Sequence, residues 1–240
     1  MGRIKTVIHV HTHYSHDSNR SPAELIREAE AEGIDCIAIT DHDRIDGALE
    51  ARDFSRRVRV IIGEEISTAD GHLLGLFLSE RVEPGLSAEQ TIERIHAQGG
   101  LAFAPHPFCT LCEDSLLERT HRIASRLDGV EIHNAQNPLP WQDARAALFA
   151  RRHDLPACSG ADSHLAGYRT PAYQLMPDFD SPESFLSSLR QAQLVLGRFG
   201  PRYIAQMGFR HVWDRVMPCR FGRYGAGLAR QPEPVAVRTG

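Results

Sequence analysis

The sequence is poor in lysine and in long apolar segments. Lys5 is its single lysine, so arginine supplies almost all of the positive charge. No apolar stretch approaches the ~18 residues of a membrane span. The first residues, which include Arg3, lack the apolar segment of a secretory signal. Cysteine is scarce and odd in number, which fits a reducing compartment. We therefore expect a cytoplasmic protein with no membrane partner.

Apolar strands alternate with amphipathic helices through the first 197 residues. This alternation predicts an α/β protein with a mainly parallel sheet. About seven strands in one series favour a closed or distorted barrel with a single core. The predicted strands are 4–10, 35–41, 57–68, 72–78, 101–106, 128–134, 155–164 and 193–197, and the predicted helices are 21–33, 44–57, 87–99, 112–126, 140–153 and one that begins at Ser181.

Residues 198–240 have a different composition. They contain eight arginines, and Asp214 and Glu233 are their only acidic residues. The last part, 222–240, is rich in Gly, Pro and Arg and has no periodicity, which is typical of disorder. The sequence therefore predicts a barrel domain over 1–197 and a basic, partly disordered C-terminal extension over 198–240.

Histidines and carboxylates recur where the predicted strands end. His9 and His11 share one face of the first strand, because strand residues two apart point the same way. In a parallel barrel, the carboxyl ends of the strands meet around one mouth. We therefore expect these side chains to converge there. The later strand ends carry Asp41-His42, Glu64-Glu65, His106, Glu131-Ile132-His133 and Asp162-Ser163-His164.

This set of residues points to a metal centre. Imidazole and carboxylate without cysteine suit Zn²⁺, Mn²⁺ or Fe²⁺. There are too many candidate ligands for one ion, so two or three divalent ions are expected. Clustered ions activate water and neutralise an anionic transition state, which favours hydrolysis of phosphate esters.

The same residues resemble a known family. The segments His9-Val10-His11-Thr12, Thr40-Asp41-His42-Asp43, Gly63-x-Glu65, Pro105-His106-Pro107 and Ala161-Asp162-Ser163-His164 occur in this order between residues 4 and about 170. They are similar to the polymerase and histidinol phosphatase (PHP) family of metal-dependent phosphoesterases. The resemblance implies a distorted (β/α)7 barrel that holds two or three Mn²⁺, Fe²⁺ or Zn²⁺ ions.

The resemblance also implies a ligand set. Asp162 and His164 are the residues on which we expect catalysis to depend. The family commonly has Ser-Asp-Gly where this chain has His16-Asp17-Ser18, so either His16 or Asp17 could be the ligand, and we favour Asp17. Strand alternation lets only one of Glu64 and Glu65 point inward. The implied ligands are His9, His11, Glu65 and Asp162 around one ion, with Glu65 bridging; His106 and His133 at a second; Asp17, His42 and His164 at a third; and His72 as an additional ligand.

Three further features have two interpretations each. Arg20 and Arg169 follow ligand motifs and are candidate phosphate-binding residues, although ordinary surface arginines fit as well. The Cys109-x-x-Cys112 pair has no second pair, so we interpret it as two loop cysteines rather than a redox centre.

We expect hydrolysis of a small nucleotide or sugar phosphate, as a mono- or diester. One alternative is an exonuclease acting on oligonucleotide ends, with a short oligonucleotide as its partner. Another is an amidohydrolase-like metal hydrolase, many of which bridge their metals with a carboxylated lysine in mid-barrel. Lys5 precedes the first histidine pair, so that bridge is not available here. The sequence does not predict an oligomeric state.

Overall fold

Seven strands close into a ring in this chain. The computed structural model describes residues 2–112 and 114–216, with side chains up to Phe209. The strands are β1 (Arg3–Val10), β2 (Cys36–Ile39), β3 (Arg59–Thr68), β4 (Gly71–Leu76), β5 (Leu101–Ala104), β6 (Gly129–Asn134), β7 (Ala157–Ser163), β8 (Ala172–Pro177) and β9 (Gln193–Leu196). The sheet order is β2-β3-β4-β5-β6-β7-β1, and an additional β1–β2 pairing completes the ring. The predicted α/β barrel is confirmed.

The barrel is distorted at β1. One edge of β1 pairs with β2, and the other edge is divided between β7 and β8. Its second half pairs in parallel with β7, through Ile8 and Val10. Its first half, from Arg3 to Thr6, pairs antiparallel with β8, which leads on to β9. The β8–β9 pair therefore extends from the ring. The sequence analysis did not predict β8, whose residues show no clean alternation of apolar and polar side chains.

The helices begin where the sequence provides capping residues. Ser21 and Glu24 form a reciprocal capping box, with Pro22 at the first helical position. Ser87 and Gln90 do the same for a later helix. The predicted helix at 112–126 is much shorter than expected, with one turn between two 3-10 turns. The helices are α1 (Pro22–Ala31), α2 (Asp46–Phe54), α3 (Ala88–Ala97), α4 (Thr120–Ile123), α5 (Pro140–Arg152), α6 (Pro182–Leu189) and α7 (Pro201–Val216).

A central core cluster gathers apolar residues from six of the seven ring strands, all except β6. Phe185 and Leu189 of α6 pack into the same cluster. Phe103 and Ile8 in this cluster are fully buried. Burial of such a side chain contributes roughly 1.5–3 kcal/mol. The core leaves the carboxyl ends of the parallel strands, and the amino end of the antiparallel strand β4, to polar side chains.

The start of the predicted C-terminal extension packs on the barrel. Phe199, Tyr203 and Met207 share a buried cluster with Leu165 and Ala172. The Tyr203 hydroxyl accepts a hydrogen bond from the backbone N–H of His164, at 2.8 Å. The predicted boundary at residue 198 therefore runs through packed structure, and α7 was not predicted. The predicted disorder of 222–240 concerns residues outside the described part of the chain.

Candidate metal centre

Strained backbone positions lie at the carboxyl ends of three strands. His9, His106 and Asp162 have φ values of 67°, 26° and 48°, which non-glycine residues rarely adopt. Such conformations cost about 1–3 kcal/mol each and cluster at functional sites. At β1 the register shifts between Ile8 and Val10. Ile8 packs in the central core cluster, whereas Val10 packs on the outer side with α1. Because of this irregularity, His9 and His11 both point into the barrel, toward the same centre.

Glu65 lies at the middle of this centre, with its two carboxylate oxygens facing different histidines. Oε1 lies 3.0 Å from Nδ1 of His72 and 3.2 Å from Nε2 of His106. Oε2 lies 3.1 Å from Nε2 of His9, 3.3 Å from Nε2 of His11 and 3.4 Å from Nδ1 of His42. One carboxylate therefore serves two sides of the cluster.

Strand alternation directs Glu64 away from the centre. Its Oε2 accepts a hydrogen bond from the Val82 backbone N–H at 2.8 Å, and its Oε1 lies 3.9 Å from Nε of Arg81. The side chain is completely buried. Of the two neighbouring glutamates, Glu65 is thus the one placed to bind an ion.

A second part of the centre surrounds Asp17. Its Oδ2 lies 3.0 Å from Nε2 of His164 and 3.5 Å from Nε2 of His42. Asp17 is 4% exposed, whereas the neighbouring His16 is exposed at the mouth of the cavity. This arrangement favours Asp17 over His16 as a ligand. Within the described residues, the ligand atoms form four overlapping groups: His11, Asp17, His42 and His164; His9, Glu65 and His106; His9, His11 and Asp162; and His42, Glu65 and His72.

Hydrogen bonds orient three of the imidazole rings through Nδ1. His9 Nδ1 lies 2.7 Å from Glu131 Oε1, and His11 Nδ1 lies 3.0 Å from the Ser15 hydroxyl. His164 Nδ1 lies 3.0 Å from the backbone oxygen of Asp162. These contacts leave each Nε2 for the centre, which is how metal-binding histidines are usually held.

Burial and neighbouring charges shift the titration of these groups. Burial opposes ionisation of Glu65, but His9, His42 and His72 outweigh it and hold the pKa of the carboxyl well below its usual range. The Asp17 pKa is likewise low, because His164 and His42 overcome the effect of burial. Burial and the adjacent His164 lower the pKa of His11 to about 3, which keeps this imidazole neutral.

Several buried polar atoms at this centre make no well-aligned hydrogen bond with the described residues, although carboxylate oxygens lie within 3.5 Å of some of them. They are Nε2 of His11, Nε2 of His164, Oδ1 of Asp17 and Nδ1 of His106. Buried polar atoms are otherwise nearly always paired. Carboxylates and neutral imidazoles with converging lone pairs are suitable ligands for Zn²⁺, Mn²⁺ or Fe²⁺. The residues present therefore fit a cluster of divalent ions.

The structure does not bring His133, a predicted ligand, into any of the four groups of described residues. Its Nδ1 lies 2.8 Å from Asp143 Oδ2 and its Nε2 lies 2.7 Å from the backbone oxygen of Gly197. The β6–β7 register shifts between Glu131 and His133, so alternation fails there. Asn134 instead lies on the inner side with Glu131, and its amide donates to Asp162 Oδ2 at 3.1 Å.

The two predicted phosphate-binding arginines lie away from the cavity. Arg20 is 1% exposed, donates to the backbone oxygen of Leu165 and pairs with Glu28 at 3.2 Å. It therefore ties the loop after β1 to the loop after β7. Arg169 is exposed on the surface and is not among the described residues that line the cavity. The short spacing from a ligand motif did not determine where either side chain points.

The sequence analysis did not single out Glu131, Asn134 or Gln136. Glu131 belongs to the same strand-end motif as His133, so this motif could have identified it as a candidate site residue. The Gln136 amide donates to the backbone oxygen of Asp162 and lies 3.0 Å from His164 Nδ1. A loop position of this kind has no periodicity from which it could be predicted.

Cys109 and Cys112 lie in the loop after β5 and are disulfide-bonded, with their Cα atoms 5.4 Å apart. Both line the cavity that contains the candidate metal ligands. Cys36 and Cys158 are buried free thiols, and burial raises the Cys36 pKa to about 12.

None of the helices in the described part of the chain combines the length and apolar character that a membrane span requires.

Comparisons with known proteins agree with this geometry. An uncharacterized protein of Methanocaldococcus jannaschii is 42% identical over 144 residues, which are 55% of this chain and 82% of that protein. A structure from Bifidobacterium adolescentis, assigned as a metal-dependent phosphoesterase, has a TM-score of 0.60 and 19% identity, over 77% of this chain and 95% of that one. A lesion-specific endonuclease from Pyrococcus furiosus has a TM-score of 0.61 and 16% identity, over 80% of this chain and 57% of that one.

At these identities the two structures show a shared fold. The sequence itself gives the family, because the model of the PHP domain matches residues 8–142, more than half of the chain. That range includes His9, His11, Asp17, His42, Glu65, His72 and His106. The chain belongs to the PHP domain family, as the sequence motifs predicted.

Proposed function

We propose that this protein is a metal-dependent hydrolase of small phosphate esters. Two or three divalent ions, Mn²⁺, Fe²⁺ or Zn²⁺, would be held by nine side chains: His9, His11, Asp17, His42, Glu65, His72, His106, Asp162 and His164. The observation that carries this proposal is Glu65, whose two oxygens face two sets of histidines. A carboxylate in that position would hold ions on both of its sides, and such ions would activate water and neutralise charge for displacement at phosphorus.

The charge balance favours an anionic substrate. Bound ions would polarise the phosphoryl oxygens and activate the attacking water. Only Asp17, Glu65 and Asp162 among the nine ligands are carboxylates. Two or three dications bring four to six positive charges, so the ligands leave the centre with net positive charge. Such a centre stabilises the negative charge that develops on phosphoryl oxygens in the transition state. An amide or a lactone develops less negative charge and would gain less from this centre.

Asp162 and His164 are the proposed catalytic residues. The Asn134 amide holds Asp162 Oδ2, while Oδ1 lies 3.5 Å from Nε2 of both His9 and His11. Burial disfavours the charged form of Asp162, but His9 and His164 keep its pKa far below the usual range. The ionised Asp162 would accept a hydrogen bond from a water at the cavity floor and orient it. Because a carboxyl with so low a pKa is a weak base, the bound ions would supply the acidity of that water. His164 lines the same floor with Nε2 directed at Asp17.

A substrate panel tests this function. Purified protein would be stripped with chelator, reconstituted with Mn²⁺, Fe²⁺ or Zn²⁺, and assayed with phosphomonoesters, phosphodiesters, short oligonucleotides, amides and lactones. We expect turnover of small phosphate esters that disappears with chelator and returns with metal. Asp162→Asn and His164→Ala would lose it, and His96→Ala, at a surface histidine, would not. Turnover of amides or lactones alone would favour an amidohydrolase instead.

A further inference from the structure

The cavity is much larger than a phosphate group. Its volume is about 880 Å³, near the upper end of the range for sites that enclose small organic ligands. The candidate metal ligands occupy its floor. The wall above them is formed by the loops after β1, β5 and β6. Described residues of this wall that bear on the substrate are Cys109, Leu111, Cys112, Asp114, Gln136 and Pro138.

Two kinds of neutral surface make up most of this wall. The loop after β5 contributes the Cys109–Cys112 disulfide and Leu111, whose side chain is 64% exposed. The loop after β6 contributes amide side chains and Pro138. The two loops are joined by a hydrogen bond from the Gln142 amide to the Thr110 hydroxyl, at 2.7 Å. The wall therefore offers an apolar face beside neutral polar groups.

Two acidic side chains line the cavity beside the candidate ligands, one in the loop after β2 and one in the wall. Apart from the nine candidate ligands, the described lining includes Asp43 and Asp114 but no arginine or lysine. Ser67 holds the Asp43 carboxylate through its N–H and hydroxyl, at 2.7 and 2.9 Å. The Asp114 side chain is 68% exposed. Arg81 is close to Asp43 but donates to its backbone oxygen. A second phosphate in the outer cavity would therefore meet two carboxylates and no described arginine or lysine, although Oδ2 of Asp114 lies 3.8 Å from Nε2 of His72, a candidate ligand.

We propose that the substrate carries a single phosphoryl group on an uncharged body with an apolar face, as in a nucleoside monophosphate. The phosphoryl group lies at the floor and the body lies against the Leu111 side of the wall. Selection against a second phosphate follows from like-charge repulsion with the acidic groups. This inference rests on the proposed phosphoesterase function and specifies its substrate class.

The test compares two nucleotides that differ by one phosphate. Adenosine 5′-monophosphate and adenosine 3′,5′-bisphosphate would be assayed with the full-length, metal-loaded protein. In either orientation the bisphosphate places its second phosphate against the outer wall. We expect kcat/KM for the monophosphate to exceed that for the bisphosphate by about tenfold or more. The ratio should fall as the salt concentration rises, because salt screens exposed charges.

Leu111→Arg supplies the missing cation and is a gain-of-function variant. This variant should raise kcat/KM for the bisphosphate relative to the monophosphate by about fivefold. Because position 111 is exposed, the substitution should not disturb folding, and misfolding would not explain a changed substrate ratio. Leu148→Arg is the matched control, because Leu148 is 58% exposed on α5 but does not line the cavity. Its substrate ratio should equal that of the wild type.

The outcomes separate this inference from the function on which it rests. Equal or faster hydrolysis of the bisphosphate by the wild type, or a preference for oligonucleotides, would overturn the single-phosphate inference and leave the phosphoesterase intact. An unchanged ratio in Leu111→Arg would overturn the placement of the substrate body at this wall. Failure to hydrolyse any phosphate ester, p-nitrophenyl phosphate included, would overturn the phosphoesterase function itself.

Discussion

Nδ1 of His9 lies 2.7 Å from Oε1 of Glu131, and both side chains are buried. The other oxygen of Glu131 accepts a hydrogen bond from the backbone N–H of His106, at 2.9 Å. One carboxylate thus orients two candidate ligands from different strands. The strand β7 makes room for it at Gly160, where an added Cβ would come within 2.1 Å of Glu131 Oε1. The geometry makes Glu131 a positioning residue of the metal centre.

Glu131→Gln should weaken metal binding while the fold remains intact. The amide keeps the size of the side chain but removes the charge that orients His9, and loss of such a partner typically costs 10–100-fold in metal affinity or activity. Metal titration followed by calorimetry measures the effect. Glu118→Gln, at an exposed carboxylate, should bind metal as the wild type does. Wild-type affinity in Glu131→Gln would show that His9 needs no such support.

Glu65→Gln and Glu64→Gln form a matched pair of neighbours. The first removes charge from the centre of the cluster, so it should lose at least one ion and most of the activity. The second changes a side chain that faces Val82 and should keep both. Metal content and kcat of the two variants, prepared side by side, give the comparison. Equal losses in the two variants, or a greater loss in Glu64→Gln, would show that Glu65 is not the carboxylate that serves both sides of the cluster.

Stability should depend on pH through Glu64. Burial raises its pKa to about 8, from an ordinary value of 4.5. Because the folded state holds this proton more tightly than the unfolded state, the contribution of Glu64 is fully present below about pH 4.5 and is lost as the pH rises to about 8. Glu64→Gln removes this dependence, so its Tm relative to the wild type should be higher at pH 8.5 than at pH 5. Thermal unfolding at both pH values checks this, and an identical difference at each would contradict it.

Replacement of His133 should affect stability rather than metal content. His133, Arg198 and Asn137 all contact the Asp143 carboxylate, which ties α5 to the segment after β9. Breaking a buried network of this kind costs about 1–3 kcal/mol. We expect His133→Ala to retain its ions with a lower free energy of unfolding, whereas His106→Ala should lose metal. Denaturant unfolding and elemental analysis report the two effects separately. Loss of an ion in His133→Ala would return His133 to the ligand set.

The sequence predicted those parts of the site that follow from local periodicity. His9 with His11, and Asp162 with His164, end strands that the apolar pattern marked clearly. Alternation left Glu64 and Glu65 open, and the resemblance to the PHP family selected Glu65. His133 lies outside the four groups because a register shift in β6 breaks alternation, which only the pairing with β7 reveals. Arg20 and Arg169 were misplaced because side chains in loops are directed by tertiary contacts. The packing of Tyr203 beneath His164 depends on contacts 39 residues apart, which composition does not encode.

The number of ions per chain tests the central claim most directly. Protein purified without chelator, reconstituted with Mn²⁺, Fe²⁺ or Zn²⁺ and freed of excess metal, would be analysed for metal and protein in the same sample. Nine converging ligands with Glu65 at their centre predict at least two ions per chain. Glu65→Gln, measured beside it, should hold fewer. One ion or fewer per wild-type chain with every metal would contradict a bridged metal centre.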